Sequence, residues 1–541
     1  MSQTDLAAAA QHVLGIDDLR EGQRVAMEAT MSGRDVLAVM PTGYGKSALY
    51  QVPAALLPGV TVVVSPLLAL QRDQVAALRA APAAPRADAL NSTTRAKRAE
   101  AIWQAAEHDE HHILFLAPEQ FANDEVMARL AGLDVAQFVV DEAHCISAWG
   151  HDFRPDYLQV GAAVERLGHP RVVALTATAS PPVRDEIVER LHLRDPLVVV
   201  QGFDRPNLHL AVHRYVEDDD RRDGVVERVA GLAGPGLLYV ATRKDTQWYA
   251  AELAERGVVA LGYHGGMRAP ERREVHERFT AGSVDVVVAT SAFGMGIDKA
   301  DIRFVLHAAA PDAPDTYYQE IGRAGRDGEP AEAVLCYRPE DLGLHRFHTG
   351  GSVDEDALRT VFAAVRRSEG GIRLTDLRRA VELPARRVTG IVNLLEQADA
   401  VRVRRSRVTA RDVRPADAVR RAVEAAETRQ RVERSRIEMM RGYAETTGCR
   451  RQFLLGYLGE ELPEPCGNCD TCESGSAYEQ LQRRGRDPFP VGAHVEHAEW
   501  GPGVVMSTEE DRLTVLFETE GYRTLALEAV QAEDLLSLTP A

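Results

Sequence analysis

Residues 40–47, which read MPTGYGKS, have the side chains and the spacing of a phosphate-binding loop. The apolar run 36–40 leads into them and a helical pattern follows, so the sequence predicts a strand, a glycine turn and a helix. Such a turn directs backbone N–H groups and the positive end of a helix dipole to one point, which suits a phosphate chain. Lys46 would reach the terminal phosphates and the Ser47 hydroxyl would bind Mg²⁺. The alternative is a glycine turn that binds nothing.

Lysine usage favours the phosphate-binding interpretation. Lys46 is one of only four lysines, and the chain otherwise uses arginine as its strong base. A chain so biased toward arginine that keeps lysine here is expected to need a compact ammonium. The strict loop pattern has glycine in place of Met40, so the match is to the looser xxTGxGKS form of helicase-type ATPases. In that form Thr42, Gly43 and Gly45 also line the nucleotide site.

A candidate pair of catalytic carboxylates ends an apolar run 95 residues after Lys46. Within the tetrapeptide DEAH at 141–144, Asp141 can hold Mg²⁺ through water while Glu142 orients and deprotonates the attacking water. Many buried strands end in an acidic turn, so the tetrapeptide alone leaves both interpretations open. Its place after a phosphate loop, in an alternating strand and helix pattern, favours catalysis.

The segment 145–157, CISAWGHDFRPDY, interleaves aromatic and basic residues directly after these carboxylates. Aromatic rings stack on single-stranded bases, and neighbouring cations hold the strand. The side chains of this kind are Trp149, His151, Phe153, Arg154 and Tyr157. A loop that packs its aromatic side chains onto its own lobe is the alternative. Direct attachment to the water-activating carboxylate favours an element that couples strand binding to hydrolysis.

Gln319, Arg323 and Arg326 form a further candidate set in the segment QEIGRAGR. Two arginines three residues apart are expected on one face of a helix. Across a cleft, they could neutralise the charge that grows on a transferred phosphoryl group. An ordinary solvated helix face would show the same pattern.

Two series of apolar runs without polar alternation indicate two doubly wound α/β lobes with buried parallel strands. The first series comprises 36–40, 60–64, 113–117, 138–140, 172–175 and 197–200. The second comprises 236–240, 258–261, 285–289, 304–308 and 333–337. Such sheets bind ligands at the carboxyl ends of their strands, where the loop and the carboxylates fall. We therefore predict one lobe over 1–202 and another over 203–345.

Length and composition are those of a globular chain with several domains. The 541 residues are too many for one core and predict roughly three to five domains. The net charge of −18 argues against a wholly basic nucleic-acid coat but allows a local basic groove. The start does not read as a signal peptide, and no window reaches the roughly 18 apolar residues of a membrane span. We expect a cytoplasmic protein with no membrane partner.

Together these segments resemble the RecQ family of superfamily 2 DNA helicases. The resemblance covers about residues 14–345, and its motifs occur in the family's order. They are LREGQ, MPTGYGKS, VVVSPLLALQRDQV, DEAH, CISAWGHDFRP, ALTATAS, VATSAFGMGIDK and YYQEIGRAGRDG. DEAH followed by WGHDFRP is more specific than any single ATPase motif, and it separates this family from RNA helicases with the same tetrapeptide.

The resemblance implies ATP-driven movement along single-stranded DNA, 3′ to 5′, with duplex unwinding. It implies adenine contact by Arg20 and Gln23, phosphate contact by Lys46, and Mg²⁺ at Ser47 and Asp141. Glu142 would activate water, and Arg326 would be an arginine finger with Arg323 and Gln319 beside it. Thr176 and Thr178 would link the nucleotide state to DNA. The strand would be sensed by Trp149, His151, Phe153 and Arg154.

Two residues of the expected nucleotide pocket depart from the family pattern. The family usually has an aromatic residue that stacks on adenine a few residues before the glutamine motif, whereas this chain has Ile16. Tyr44 replaces a glycine of the phosphate loop, which should stiffen that loop. We expect looser discrimination for adenine and an altered loop shape.

Residues 350–412 have the pattern of a winged helix, with a helix near 355–367, two further helical segments and an apparent wing, AVRVRRSRVTA. Helical spacing predicts that Val388, Ile391, Val392 and Leu395 face the core. The wing arginines could contact phosphates or wedge a fork, or could simply be solvated. They are Arg402, Arg404, Arg405 and Arg407. In the RecQ relatives compared, the winged helix follows the zinc module, whereas here it precedes it, which leaves a strand-separating role open.

Cys449, Cys466, Cys469 and Cys472 follow with the spacing C-x16-C-x2-C-x2-C. Four thiolates at this spacing fit a closed, structural Zn²⁺ site, and the pattern resembles the zinc module of RecQ proteins. Disulfides are the alternative. We predict a helical zinc-binding module over 413–474 and expect the two other cysteines to be buried thiols.

The C-terminal stretch is predicted to be a small β-barrel of SH3-like or Tudor-like type over 491–541, after a polar linker over 475–490. The stretch resembles the small Tudor-like tails of some bacterial helicases, which are partner-binding modules. The resemblance allows a protein partner there without identifying one. No helical domain of the kind that ends many longer RecQ proteins is predicted.

The combined prediction is an ATP- and Mg²⁺-dependent DNA helicase of the genome-maintenance type, acting on single-stranded and forked DNA in repair or recombination. One alternative is a DNA-stimulated translocase or remodelling ATPase that unwinds weakly. A second, from another class, is a zinc and winged-helix DNA-binding regulator.

Overall fold

A computed structural model describes the chain over residues 3–81, 83–91, 94–109, 111–147, 154–293, 299–349, 353–368, 370–404, 407–483, 488–490, 492–508, 511–517 and 520–539. Two compact units are each built from separate stretches of the chain. The first contains Met1–Met40, Tyr44–Gln201 and Gly350–Arg431, and the second contains Pro41–Gly43, Gly202–Thr349 and Val432–Ala541. None of the helices within the described ranges combines the length and the hydropathy that a bilayer span requires.

The first unit contains a parallel sheet surrounded by helices. Its strands are β1 Val36–Val39, β2 Gly59–Val64, β3 Arg86–Leu90, β4 His111–Leu116, β5 Val135–Val140, β6 Arg171–Thr176 and β7 Leu197–Val200. They pair in parallel in the order β3-β4-β2-β5-β6-β1-β7. The helices are α1 Gln3–Leu14, α2 Glu21–Met31, α3 Ala48–Leu56, α4 Leu68–Ala80, α5 Ala96–His108, α6 Asp124–Ala131, α7 Leu158–Arg166 and α8 Pro181–Arg190. Every predicted apolar run of this lobe forms a strand, because helices cover both faces of the sheet.

The second unit contains a similar parallel sheet. Its strands are β8 Leu208–Arg214, β9 Gly236–Tyr239, β10 Ala260–Tyr263, β11 Val286–Ala289, β12 Phe304–His307 and β13 Ala331–Tyr337. Their order is β10-β11-β9-β12-β13-β8, so β8 lies at one edge. The helices are α9 Asp218–Gly231, α10 Arg243–Glu255, α11 Ala269–Thr280, α12 Pro314–Ile321 and α13 Asp341–Thr349. The predicted pair of parallel α/β lobes is therefore confirmed.

The stretch after α13 forms three helices and a small sheet that belong to the first unit. These helices are α14 Glu355–Arg367, α15 Leu374–Ala380 and α16 Ala385–Gln397. The strands β14 Ile372–Arg373, β15 Val401–Arg404 and β16 Arg407–Ala410 pair antiparallel in the order β14-β16-β15. The four apolar residues predicted to face the core are all buried, with at most 7% exposure: Val388, Ile391, Val392 and Leu395.

Helices carry the cysteine-containing stretch. They are α17 Pro415–Glu445, α18 Arg450–Tyr457, α19 Asp470–Glu473 and α20 Ser476–Arg483. Part of the predicted polar linker is thus helical, and Ala477 and Gln480 of α20 are buried. The Arg-rich composition of this segment indicated a solvated linker, although Ala477 is buried.

The C-terminal stretch forms a five-stranded antiparallel sheet. Its elements are β17 His494–His497, β18 Gly501–Thr508, β19 Arg512–Phe517, β20 Gly521–Ala526, α21 Leu527–Ala532 and β21 Leu536–Leu538. The strand order is β20-β19-β18-β17-β21. The sheet contacts the helices before it, because Tyr522 of β20 stacks on Tyr457 of α18 with ring centroids 5.1 Å apart.

Candidate functional site

The candidate phosphate loop lies at the carboxyl edge of the first sheet. Strand β1 is paired on both sides, and Met40 N donates to Thr176 O of β6 at 3.0 Å. Gly43 and Gly45 have φ of 84° and 86°, in the left-handed region that favours glycine. Lys46 Nζ donates to the carbonyl of Met40 at 3.0 Å, so the ammonium lies over the start of its own loop.

The acidic pair follows β5 at the same edge of the sheet. Asp141 N donates to Val64 O at 2.9 Å, which continues the pairing of β5 with β2 by one residue. Glu142 then takes φ of 50°, a left-handed conformation that is uncommon outside glycine. The turn is stabilised by Glu142 N donating to Asp141 Oδ1 at 3.0 Å and by the Tyr157 hydroxyl donating to Asp141 O at 2.9 Å. Such local strain is characteristic of functional turns.

The pKa of the Asp141 carboxyl is raised to about 7, mainly by burial. The neighbouring Glu142 carboxylate contributes to this rise, while the Lys46 ammonium opposes it. Two carboxyl groups side by side in a buried site ionise reluctantly unless a cation shares the site. A bound cation would therefore stabilise the charged form of the Asp141 carboxyl.

A buried hydrogen-bonded network connects this turn to the end of β6. His144 Nδ1 lies 2.9 Å from Thr176 Oγ1 and 3.4 Å from Glu142 Oε2. The Thr176 hydroxyl donates its only hydrogen to Thr178 O at 3.0 Å, so it accepts from His144, and Nδ1 carries the proton. The two threonines predicted to relay the nucleotide state thus contact the DEAH turn through His144.

Only part of the predicted strand-sensing loop lies within the described residues. Trp149, His151 and Phe153 lie outside the described residues. Arg154 is described: its backbone N donates to Cys145 O at 2.8 Å and its guanidinium lies 3.5 Å from Pro66 O. Tyr157 was expected to offer a stacking face, and that expectation is wrong, because its ring is fully buried beneath Asp141.

The glutamine motif is bonded to the phosphate loop. Gln23 Nε2 donates to Tyr44 O at 3.0 Å and to Gly45 O at 3.2 Å, while Gln23 Oε1 accepts from Arg20 N at 3.0 Å. The Arg20 guanidinium lies 4.6 Å over the centroid of the Tyr44 ring. The Tyr44 hydroxyl donates to Gln201 Oε1 at 3.2 Å. Gln201 belongs to no recognised motif, and sequence reasoning missed it.

The arginine motif of the second unit does not lie on a helix face as predicted. Helix α12 ends at Ile321, and residues 322–327 form successive turns. Gly325 takes φ of 57°, which a continuing helix does not allow. Arg323 is buried and Arg326 is half-buried, so their three-residue spacing places them on a turn with unequal exposure. Gln319 stays on α12.

Two residues upstream hold this turn in place. The Arg205 guanidinium donates to Ala324 O and to Gly325 O, both at 2.8 Å. Asn207 Nδ2 donates to Gly325 O at 2.8 Å. These contacts pair two carbonyls of the turn that follows α12. Sequence reasoning missed both residues.

The four predicted zinc ligands converge in the second unit. One sulfur from each of Cys449, Cys466, Cys469 and Cys472 lies within 4.8 Å of the others. The sulfurs of Cys466 and Cys472 are 3.9 Å apart, close to the roughly 3.8 Å edge of a Zn–S₄ tetrahedron with bonds of about 2.3 Å. Backbone N–H groups of Cys466 and Asn468 donate to two of the sulfurs. No disulfide joins any of the six cysteines, all of which lie within the described residues, and this contradicts the disulfide alternative.

Comparison with known proteins agrees with this set of elements. Three family models match in order: DEAD/DEAH box helicase over residues 20–187, helicase conserved C-terminal domain over 229–328 and RecQ zinc-binding over 398–473. The probable ATP-dependent DNA helicase RecS of Bacillus subtilis (strain 168) is 33% identical over 492 residues, covering 89% of this chain and 95% of the relative. The ATP-dependent DNA helicase RecQ of the same organism is 34% identical, covering 87% and 67%.

The chain belongs to the RecQ family of DNA helicases.

As a RecQ-family protein, the chain is an ATP-dependent DNA helicase with a zinc site of four cysteines. Solved structures of other helicases share its fold. Mycobacterium smegmatis Lhr bound to ssDNA and AMP-PNP superposes with a TM-score of 0.50 at 21% identity, over 76% of this chain and 60% of Lhr. MrfA bound to DNA and AMPPNP gives 0.52 at 17% identity, over 76% of this chain and 62% of MrfA. Residues 491–534 match a family described as a protein of unknown function.

The RecQ zinc module contacts the edge strand β8 of the second sheet. Val212 N donates to Asp470 Oδ2 at 2.9 Å. The Arg451 guanidinium donates to Leu208 O at 2.7 Å. Arg450 in turn donates to Asp470 Oδ1 at 2.6 Å. Side chains next to the cysteines therefore take the place of a neighbouring strand along β8.

Proposed function

We propose that this RecQ-family chain moves 3′ to 5′ along single-stranded DNA and unwinds duplexes in DNA repair or recombination. The observation that carries the proposal is the hydrogen bond between His144 and Thr176, with the Glu142 carboxylate 3.4 Å from the same ring nitrogen. It places a candidate water-activating carboxylate, a protonated ring nitrogen and a threonine of the next strand in one buried cluster. A change at the hydrolysis site would thereby reach residues that the family uses to sense DNA. Direction and biological role rest on the family.

In the proposed nucleotide site, the loop around Thr42, Gly43 and Gly45 cradles the phosphates and Lys46 neutralises them. Ser47 and Asp141 would hold Mg²⁺, which would supply charge neutralisation on the phosphates when bound. The buried carboxyl pair, with the pKa of Asp141 raised to about 7, fits such a cation. Glu142 takes the proton of the attacking water.

In the second unit, Arg326 is proposed as the arginine finger, with Arg323 and Gln319 positioning the turn or the phosphates. Arg323 also lies near the buried Tyr239 hydroxyl: burial raises the pKa of Tyr239, and the guanidinium lowers it. This contact supports a rigid backing for the turn.

For DNA, we propose contacts by Trp149, His151, Phe153 and Arg154. The stretch 350–412 is proposed to be a winged helix that contacts DNA through Arg402, Arg404 and Arg405. Arg402 and Arg404 lie on β15, and Arg405 lies outside the described residues. Arg402 and Arg407 are exposed. Exposed guanidinium groups on a small antiparallel hairpin support phosphate contact.

The proposed domain limits are 1–202 and 203–345 for the two lobes, 350–412 for the winged helix and 413–474 for the zinc module. A linker over 475–490 and an SH3-like barrel over 491–541 complete the proposal. The barrel is proposed to bind a protein partner.

The first test is ATP hydrolysis with and without single-stranded DNA. We expect DNA to stimulate the wild-type chain, and Lys46→Ala to reduce the stimulated rate at least about a hundredfold. Lys46→Arg is the matched control for charge: it keeps the cation but should also fail, because a planar guanidinium does not replace a compact ammonium. Full activity in Lys46→Ala would overturn the site assignment.

A second candidate function is a DNA-stimulated translocase that unwinds weakly. It is favoured by one observation: the stretch carrying α14 to β16 precedes the zinc module and belongs to the first unit. Strand displacement across forks, 3′ tails and 5′ tails separates the two functions. Helicase activity predicts displacement of forks and 3′-tailed duplexes, whereas the translocase predicts ATP hydrolysis without displacement.

A further inference from the structure

Tyr44 forms a stacked pair with Arg20 beside the phosphate loop. The Arg20 guanidinium carbon lies 4.6 Å from the centroid of the Tyr44 ring, within the range of a cation–π contact. The Tyr44 hydroxyl is held by Gln201 Oε1 at 3.2 Å. The ring is half-buried and packs against the same apolar cluster as Ile16 and Leu19. Contacts therefore hold the Tyr44 side chain at its hydroxyl, along its ring and on one ring face.

The backbone at Tyr44 needs no glycine. Gly43 and Gly45 on either side have positive φ, whereas Tyr44 does not. The loop keeps its two left-handed positions, and a side chain at the position between them adds no backbone strain. The tyrosine thus changes what surrounds the loop and leaves the loop's own shape intact.

The other face of this pair is available to a ligand. Arg20 is exposed, so a flat group can reach its guanidinium. The Gln23 side chain contacts both partners, because its amide accepts from Arg20 N and donates to Tyr44 O. Arg20, Gln23 and the loop are consequently one bonded unit next to the place where the phosphates are proposed to bind.

We propose that Tyr44 is a positioning residue for the base of the nucleotide. Its ring fixes the plane of the Arg20 guanidinium, and a purine base stacks on the outer side of that plane. Purines are favoured over pyrimidines because a larger π surface gains more from stacking on a planar cation. Tyr44 thereby supplies, through Arg20, the aromatic support that Ile16 lacks. The inference rests on the proposed nucleotide site, in which the resemblance already implies contact between Arg20 and adenine, and it adds the positioning role of Tyr44.

The test measures steady-state hydrolysis of ATP and CTP, with single-stranded DNA present, for the full chain. Tyr44→Leu removes the ring, and Tyr44→Phe keeps the ring while removing the hydrogen bond to Gln201. We expect Tyr44→Leu to raise KM for ATP about five- to tenfold with kcat within about twofold. KM for CTP should change less, and Tyr44→Phe should stay within about twofold of wild type.

Inorganic tripolyphosphate separates loss of base contact from distortion of the loop. It has phosphates and no base, so its inhibition constant against ATP should stay within about twofold in Tyr44→Leu. An inhibition constant that rises as much as KM would overturn the proposal and assign Tyr44 to the loop's shape. A KM for ATP that is unchanged or falls would also overturn it, because the ring would then be idle or in the way.

Arg20→Lys provides an independent variant at an exposed position, and it keeps the charge while removing the plane. If Tyr44 acts through Arg20, KM for ATP in the double variant, Tyr44→Leu with Arg20→Lys, should be no higher than in the more severe single variant. Additive losses would overturn the coupling. The proposed function fails in a different way: wild-type chain would then not hydrolyse ATP, or Lys46→Ala would remain active. One combined outcome would refute the role of Tyr44 alone. In it, the wild type hydrolyses ATP, Lys46→Ala does not, and Tyr44→Leu has an unchanged KM for ATP.

Discussion

In the proposed nucleotide site, the Asp141 carboxyl must give up its proton before it can hold Mg²⁺. Its pKa is raised to about 7 by burial first and by Glu142 second. Below that pH the carboxyl is mostly neutral, so protons compete with Mg²⁺ for the same oxygen atoms. The Mg²⁺ concentration that gives half-maximal ATP hydrolysis should therefore rise about tenfold from about pH 8 to about pH 6.

The measurement is a Mg²⁺ titration of DNA-stimulated hydrolysis at fixed free ATP. Glu142→Gln is the matched control, followed by Mg²⁺-dependent nucleotide binding because its turnover is expected to be low. Without the second carboxylate, the pKa of Asp141 should fall and the pH dependence should move to lower pH. An equal Mg²⁺ requirement at both pH values would contradict the assignment of Asp141.

At this scale, sequence reasoning identified the chemistry of the side chains better than their environment. Lys46, Asp141 and Glu142 follow buried strands, and the topology of a parallel sheet brings the ends of those strands together. Tyr157 looked like a stacking residue because its type and spacing matched its neighbours. Nothing local indicated that its hydroxyl would bond the carbonyl of Asp141 and bury the ring. Contacts between distant segments of this kind leave no periodic pattern.

Among the elements, α12 is anchored by a buried ion pair. Asp315 in its first turn accepts two hydrogen bonds from the Arg436 guanidinium of α17, at 2.8 and 3.0 Å, and both side chains are at most 7% exposed. Removing one member leaves an uncompensated buried charge, which costs about 3–5 kcal/mol. Asp315→Asn should lower the urea midpoint of unfolding and loosen the arginine turn that follows α12.

The matched control is the exposed pair between Arg359 and Glu355 of α14. Glu355→Gln should change the free energy of unfolding by less than about 1 kcal/mol, because solvent screens exposed pairs. Replacing both members of the buried pair, with Asp315→Leu and Arg436→Met, should recover most of the loss. Circular dichroism during urea unfolding measures all three. A loss in Asp315→Asn no larger than in Glu355→Gln would show that the buried pair does not anchor α12.

Strands covered by helices on both faces were predictable from their continuous apolar runs. Strands without such a run were missed. The strand β3, with sequence RADAL, has a charged residue at Asp88 whose side chain is buried among three arginines. The edge strand β8, LHLAVHR, carries His209 and His213, which are only partly buried. Neither matches the continuous apolar run of a strand covered on both faces. The arginine motif was misplaced for another reason, since Gly322 and Gly325 end the helix before it.

At the scale of the whole molecule, the order of modules was readable from motifs, whereas the attachment of the last one was not. The C-terminal sheet is fixed to the preceding helices through the Tyr457–Tyr522 stack and through Gly521, where an added Cβ would lie 2.4 Å from Ser435 Oγ. Such an interface depends on a small residue and two rings far apart in sequence. It has no signature that a single chain reveals.

Gly521→Ala should therefore detach the C-terminal sheet more readily than a comparable change elsewhere. Gly492→Ala is the matched control, because both glycines have positive φ but Gly492 has no atom within 4 Å of an added Cβ. The difference in free energy of unfolding should be about 1–2 kcal/mol. Limited proteolysis between residues 483 and 492 reports detachment. Equal cleavage rates in the two variants would contradict the attachment.

The contacts between the zinc module and β8 also affect how the purified protein behaves in solution. Asp470 and Arg451 satisfy an N–H and a carbonyl of the edge strand β8, and Cys469 forms a parallel bridge with Leu210. If a chelator stripped the metal during purification, those groups would be released along an open strand edge, which is a template for pairing with another chain. Metal-free protein should therefore be lost chiefly by self-association into insoluble material, at a rate that rises with protein concentration. Light scattering during chelation, compared with and without added zinc, would reveal it.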